Sequence, residues 1–160
     1  MKPPPFDYAA PESIDEVLGV LAQAPDETSL LAGGQSLVPV LNMRLAQPRV
    51  LVDLNRVGGL DAIEETPDGR LRLGSMVRQR RLEKEPVVRE RLPLMTAAAR
   101  HIAHLAIRTR GTLGGSLAHA DPAAELPAVA VALDATLTAR SADRGKRVLP
   151  VESFFDHYVT

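Results

Sequence analysis

The apolar positions of this chain change their period several times, and each change marks an element. Ile14, Val17, Leu18 and Leu21 recur at i, i+3, i+4 and i+7, the stripe of a single helix face. Ser13 and Glu16 have capping-box spacing and Pro25 follows, so a helix is predicted over 13–24. The apolar run Ser29-Leu30-Leu31-Ala32 reads as a buried strand and stops at Gly33-Gly34. Ser36 then stands as an N-cap for a short helix reaching Leu45, with Pro39 in its first turn. Beyond Pro48, Val50-Leu51-Val52-Asp53-Leu54 reads as a second buried strand. Strand, glycine loop, helix and strand make a βαβ unit, which predicts that the two strands are parallel.

Gly58-Gly59 punctuates the chain, and the expected division is a subdomain of residues 1–57 followed by a second over 58–160. Leu60–Glu65 and Arg70–Leu73 flank Pro67-Asp68-Gly69, a hairpin signal because Asp-Gly accepts the positive φ of a tight turn. Leu71 and Leu73 alternate with Arg70 and Arg72, as on a half-buried strand. Helices are predicted over 78–91 and 93–104, divided by Pro93, and again over 124–133. A glycine-rich loop is predicted from Gly111 to Ser116. Thr136–Ala139 and Lys146–Leu149 read as closing strands around the polar turn Asp143-Arg144-Gly145.

Composition narrows the chemistry. The chain has 160 residues, 45% hydrophobic and 24% charged, which is the make-up of a folded globular domain. No apolar run approaches the ~20 residues of a bilayer span, and no apolar secretory stretch opens the chain, so a cytoplasmic location is expected. Cysteine is absent, which removes disulfides, thiol nucleophiles and cysteine-held iron–sulfur clusters from this chain. Any redox chemistry must therefore come from a bound organic cofactor. Phe6, Tyr8, Phe154, Phe155 and Tyr158 are the only aromatics, all near the ends, so stacking platforms for nucleic acid are not expected. Net charge is −1, yet Arg70–Arg110 carries eleven Arg and Lys against three Glu. That asymmetry fits either a solvated helix face or an anionic ligand nearby.

The chemistry-bearing features are two small-residue segments. Ala32-Gly33-Gly34-Gln35-Ser36 lies between a strand and a helix, and Thr112-Leu113-Gly114-Gly115-Ser116 also leads towards a helix. Glycine lets backbone approach a ligand and aim consecutive N–H groups at it, and such concavities hold phosphate without a lysine. Ser36, Thr112 and Ser116 add hydroxyls. Neither segment is a P-loop or a Rossmann fingerprint. From the residues alone each is either a phosphate cradle or a tight turn, and two cradles would suit the two phosphates of a dinucleotide.

Ala32-Gly33-Gly34-Gln35-Ser36-Leu37, Ile107-Arg108-x-x-Gly111-Thr112-Leu113-Gly114-Gly115-Ser116 and Asp121-Pro122-x-x-Glu125-Leu126-Pro127, in that order, resemble the FAD-binding medium subunit of the molybdenum hydroxylases. These are the relatives of carbon monoxide dehydrogenase and xanthine dehydrogenase. Phe6-Asp7-Tyr8 followed by Pro11, and Val52-Asp53-Leu54, fit the same pattern, so the resemblance runs along the whole chain. It implies an α+β, two-subdomain FAD-binding fold of the PCMH type (VAO-like), with FAD extended between the subdomains. It further implies that Leu31 and Ala32 to Leu37 cradle the pyrophosphate from one side. Ile107 and Gly111 to Ser116 would do so from the other, and Glu125 would hydrogen-bond an adenosine ribose. His119 would lie near the flavin, and Asp121 beside it would be either a cofactor contact or an N-cap for Pro122. Gln35 stands where the family often has histidine, and Ser116 where it often has asparagine. The family's C-terminal domain is expected to be absent from this chain.

The resemblance implies an oxidoreductase flavoprotein subunit with no catalytic side chain and no metal ligand of its own, inactive alone. A molybdenum-cofactor large subunit and a small subunit carrying 2Fe–2S clusters would be its partners. Electrons would pass from those clusters through FAD to a terminal acceptor. The alternative is a non-redox nucleotide-binding or interaction module. His101 and His104, three apart on a predicted helix, with His119 and Asp121 nearby in sequence, form only a weak metal pattern without H-E-x-x-H spacing. Ser/His/Asp order and Gly-x-Ser-x-Gly are both missing.

Overall fold

A computed structural model describes residues 1–155; residues 156–160, counted in the second expected subdomain, lie outside the described residues. The chain opens with strand β1 (Asp7–Ala9) and helix α1 (Ile14–Gln23). Ser13 caps α1, its Oγ accepting from the Glu16 amide at 3.3 Å. The return bond of the capping box is displaced by one residue, since the Glu16 carboxylate accepts from the Glu12 amide at 2.9 Å. Strand β2 (Thr28–Leu31), helix α2 (Leu37–Asn42) and strand β3 (Val50–Asp53) form the βαβ unit. β2 and β3 are parallel, as the topology requires.

The expected α2 differs in its ends, and one strand has no forerunner in the sequence pattern. Ser36 is itself helical (φ −97°, ψ −46°) and its hydroxyl caps no amide, so α2 begins without a side-chain cap and ends at Asn42 rather than Leu45. β1 also pairs parallel with β3, giving a three-stranded sheet in the order β1-β3-β2. Three residues after a proline run carry too little periodicity to announce that strand.

Strands β4 (Ile63–Glu65) and β5 (Leu71–Leu73) form the predicted antiparallel hairpin, with Gly69 at φ +77°. The helical stretch is more broken than expected. It consists of α3 (Gln79–Lys84), α4 (Pro86–Arg91), α5 (Pro93–Ala99) and α6 (Leu105–Arg110). Pro86 and Pro93 each occupy the first helical position, where a missing N–H costs nothing, and so each starts a new helix. His101 and His104 therefore do not share a helix face: His101 lies in the turn after α5 and His104 is the N-cap of α6. Helix α7 (Leu113–His119) starts inside the segment predicted as a loop, then come α8 (Glu125–Ala132) and the antiparallel hairpin of β6 (Thr136–Ser141) and β7 (Gly145–Pro150).

Apolar side chains gather in two clusters. Val17, Val52 and Val57 centre one between α1 and the parallel sheet, with Leu60 its last packed member. The other is larger, built on Val77, Leu82, Val88, Leu126 and Val151, and begins at Ile63. Aliphatic residues dominate both, as a chain without tryptophan requires. No helix among the described residues is long and apolar enough to cross a membrane.

Candidate functional site

The site grows from the end of β2. After Leu31 the backbone turns through Gly34 at φ +72°, and the Val38 amide bonds the Gly34 carbonyl at 3.0 Å to start α2. Gln35 does not reach outward: its Nε2 donates to the Gly33 carbonyl at 2.9 Å and braces the turn from within. The amides of Gly33, Gly34, Gln35, Ser36 and Leu37 donate to no acceptor among the described residues. Backbone N–H groups are seldom left unpaired in a folded chain. Five in succession on a turn that passes through the left-handed region make a concave, electropositive surface suited to an anion.

The second segment differs. Thr112, 2% exposed, caps α7, its Oγ1 accepting from the Gly115 amide at 3.1 Å. The Leu113 amide bonds the Val77 carbonyl at 2.9 Å, Gly114 bonds Ser75 at 2.8 Å, and Ser116 bonds Thr112 at 3.2 Å. The four amides from Leu113 to Ser116 are thus engaged within the protein, and the Thr112 oxygen is a helix cap rather than an outward donor. This segment contributes proximity, not a row of free donors. A Cβ on Gly114 would stand 2.6 Å from the Ser75 Cβ, and one on Gly115 would come 3.6 Å from the Ala32 Cβ. The start of α7 therefore lies against the first loop.

The first loop also abuts the chain just before the second segment, at Gly33. A Cβ there would stand 2.4 Å from the Arg110 carbonyl oxygen and 2.8 Å from the Gly111 Cα. Gly111 is held in turn by its own amide on the Ile107 carbonyl at 2.7 Å. His119 lies one helical turn beyond Gly115 and so on the same face of α7, which is the face towards Ala32. Asp121 does not cap α8, whose N-cap position is Ala124; its Oδ1 accepts from the Ala123 amide at 2.9 Å and closes a separate turn. Glu125 sits half-buried in the first turn of α8, among the acidic residues a helix start favours.

Two further side chains, Asn55 and Arg78, absent from the sequence motifs, frame the first loop, and Tyr8 backs them through Asp53. Asn55 Nδ2 donates to the Ala32 carbonyl at 3.1 Å and to Asp53 Oδ1 at 2.5 Å. Arg78 donates to Asn55 Oδ1 at 2.5 Å and to the Arg110 carbonyl. Tyr8 donates to Asp53 Oδ2 at 2.6 Å. Partial burial pushes the Asp53 carboxyl up, but the hydrogen bonds from Tyr8 and Asn55 and the nearby Arg110 charge outweigh it and hold it below the usual range. The Tyr8 hydroxyl is raised, chiefly by that same bond to Asp53. Arg78 is lowered by burial and then by Arg110, against the pull of Asp53 and Asp61. The Arg110 guanidinium makes no hydrogen bond or ion pair among the described residues. A cleft of about 320 Å³ opens beside this group, lined by residues that include Asn55, Arg56, Asp61, Arg78 and Arg81. Asn55 and Arg78 gave no sequence signal beyond the basic run, because their partners are distant in the chain.

A strand-to-helix turn with five free amides, a second small-residue segment pressed against it and guanidinium charge alongside mark an α+β domain whose loop has the chemistry to hold an anion. The family described as the FAD-binding domain in molybdopterin dehydrogenase matches residues 4–160, and the chain belongs to that family. It is 47% identical to the caffeine dehydrogenase subunit beta of a Pseudomonas species (strain CBB1) over 98% of this chain and 52% of that one. The solved carbon monoxide dehydrogenase of Hydrogenophaga pseudoflava superposes with a TM-score of 0.95 at 39% identity, over 99% of this chain and 54% of that chain. Quinoline 2-oxidoreductase from Pseudomonas putida 86 superposes at 0.94 with 43% identity, over 99% and 54% respectively. The chain spans about half the length of the curated relatives it matches. The α+β architecture implied by the sequence motifs is the one these structures share.

Proposed function

We propose that this chain holds FAD between residues 1–57 and 58–160 as the flavin-carrying part of a molybdenum hydroxylase medium subunit. The observation that carries the reading is the row of free amides from Gly33 to Leu37, in a chain of an FAD-binding family. A pyrophosphate carries charge that such amides and a neighbouring guanidinium stabilise. The residues present fit the cofactor in that respect. Ala32 to Leu37 bind the pyrophosphate through backbone N–H. Gly114 and Gly115, within Gly111 to Ser116, leave the start of α7 without side-chain bulk, and Ser36 and Ser116 offer hydroxyls to the phosphates. His119 faces the flavin end, and Glu125 takes a ribose hydroxyl.

When bound, FAD supplies reversible one- and two-electron chemistry; the protein binds, orients and shields it. Electrons then come from 2Fe–2S clusters on a small partner subunit, fed by a molybdenum-cofactor large subunit, and leave to a terminal acceptor. The absence of cysteine from this chain supports clusters held elsewhere. The dehydrogenase and hydroxylase subunits among its relatives support the same assembly.

The test is a fluorescence titration of FAD with the purified chain, followed by anaerobic photoreduction of the complex. Saturable quenching at one flavin per chain, and bleaching that reverses with an acceptor, are expected. Binding without reversible reduction would favour a non-redox nucleotide module, and no binding would overturn the reading.

A further inference from the structure

We propose that Asn55 and Arg78 together are positioning residues that set the glycine loop for its phosphate ligand. The proposal rests on the FAD reading above and deepens it. Asn55 joins the loop, through the Ala32 carbonyl, to the end of β3, through Asp53. Its own amide also donates to Asp53 Oδ1 at 2.8 Å, so the side chain and backbone of Asn55 converge on one carboxylate oxygen. The remaining valence of its side chain, Oδ1, is taken by Arg78.

Arg78 then reaches the Arg110 carbonyl with its other terminal nitrogen. That carbonyl is the surface against which Gly33 packs. One guanidinium fork therefore grips both supports of the loop: the side chain that fixes Ala32 and the backbone that Gly33 touches. Ala32 and Gly33 are the residues that lead into the five free amides, so their placement sets where those amides point. Tyr8 locks the other oxygen of Asp53 and closes the chain of bonds at β1.

The division of labour between the two arginines follows from their bonds. Arg78 has its donors committed to neutral acceptors in the protein, so its planar geometry matters more than its charge. Arg110 keeps a free guanidinium among the described residues and supplies charge. Because Asn55 is exposed and Arg78 only half-buried, the network adds little to global stability but much to the geometry of the loop.

The experiment measures FAD affinity and apo-protein melting temperature for the full chain and for Asn55→Ala, Arg78→Lys and Arg100→Lys, at two salt concentrations. Arg78→Lys keeps the charge and loses the fork. It is expected to weaken FAD binding about tenfold, the scale of one lost charge-assisted bond, with an unchanged salt dependence. Asn55→Ala is expected to weaken binding by a similar factor with the melting temperature nearly unchanged. Arg100→Lys, at an exposed residue beyond the end of α5 and outside this network, is expected to match wild type. Wild-type binding with Asn55→Ala and Arg78→Lys unaltered would overturn the positioning role while leaving the FAD reading intact. A fall in affinity that only mirrors a fall in melting temperature would also overturn it. Absence of binding in the wild type would remove the FAD reading and this inference with it.

Discussion

Gly33 faces the carbonyl of Arg110 so closely that a methyl group on it would stand 2.4 Å from that oxygen. Backbone on both sides of this contact leaves no flexible atom to yield. Gly33→Ala is therefore expected to cost about 1–3 kcal/mol, the range for forced overpacking, and to abolish tight nucleotide binding as the two segments part. Gly58→Ala is the matching control, since nothing lies within 4 Å of a Cβ there. It should change stability by no more than about 0.5 kcal/mol. Urea unfolding of the two variants beside wild type checks both.

The start of α7 depends on a hydroxyl. Thr112 Oγ1 accepts from the Gly115 amide at 3.1 Å, in a side chain that is otherwise buried. Thr112→Ser and Thr112→Ala both lose the buried methyl, and only the second loses the cap. Thr112→Ala should be the less stable of the two by about 1 kcal/mol. Equal stabilities would show that the hydroxyl is not the helix cap.

Acid should loosen the junction of α3 and α6 through Glu83. Its Oε2 takes Arg80 at 2.6 Å and Arg108 at 3.2 Å, with the Glu83 side chain only 11% exposed. The Arg80 hydrogen bond and then the two arginine charges outweigh burial and hold this carboxyl below its ordinary 4.5. A lowered folded-state value means the stabilisation is complete above pH 4.5 and is lost as pH falls through 4.5 and then through the folded value. Glu83→Gln should thus be less stable than wild type at neutral pH, with the gap narrowing in acid. A gap that stays constant from neutral pH down to about pH 3 would contradict the assignment.

The sequence legibly carried what is local. Helix α1 followed from its apolar stripe and Ser13, the β4–β5 hairpin from Asp68-Gly69, and the parallel pairing of β2 and β3 from the handedness and length of the connection. Features that depend on remote partners were not legible. β1 forms because β3 offers it an open edge, not because Asp7–Ala9 has a pattern. Gly114 and Gly115 read as loop residues, yet they sit in a helix because Thr112 caps it and because Ser75 leaves no room for a side chain at Gly114. Pro86 split the helix predicted over 78–91 into two. At the site, the glycines were visible in the motifs. Asn55 and Arg78 were not, since the bonds that tie them to the loop, to each other and to the Arg110 carbonyl span 23 or more residues.

The most direct test of the account is a calorimetric titration of the chain with FAD, with ADP and with riboflavin. A loop that recognises pyrophosphate predicts one FAD per chain, displacement by ADP, and riboflavin weaker than FAD by more than about tenfold, or 1.4 kcal/mol. Riboflavin binding as tightly as FAD, with ADP unable to compete, would contradict the assignment of the Gly33–Leu37 amides to the phosphates.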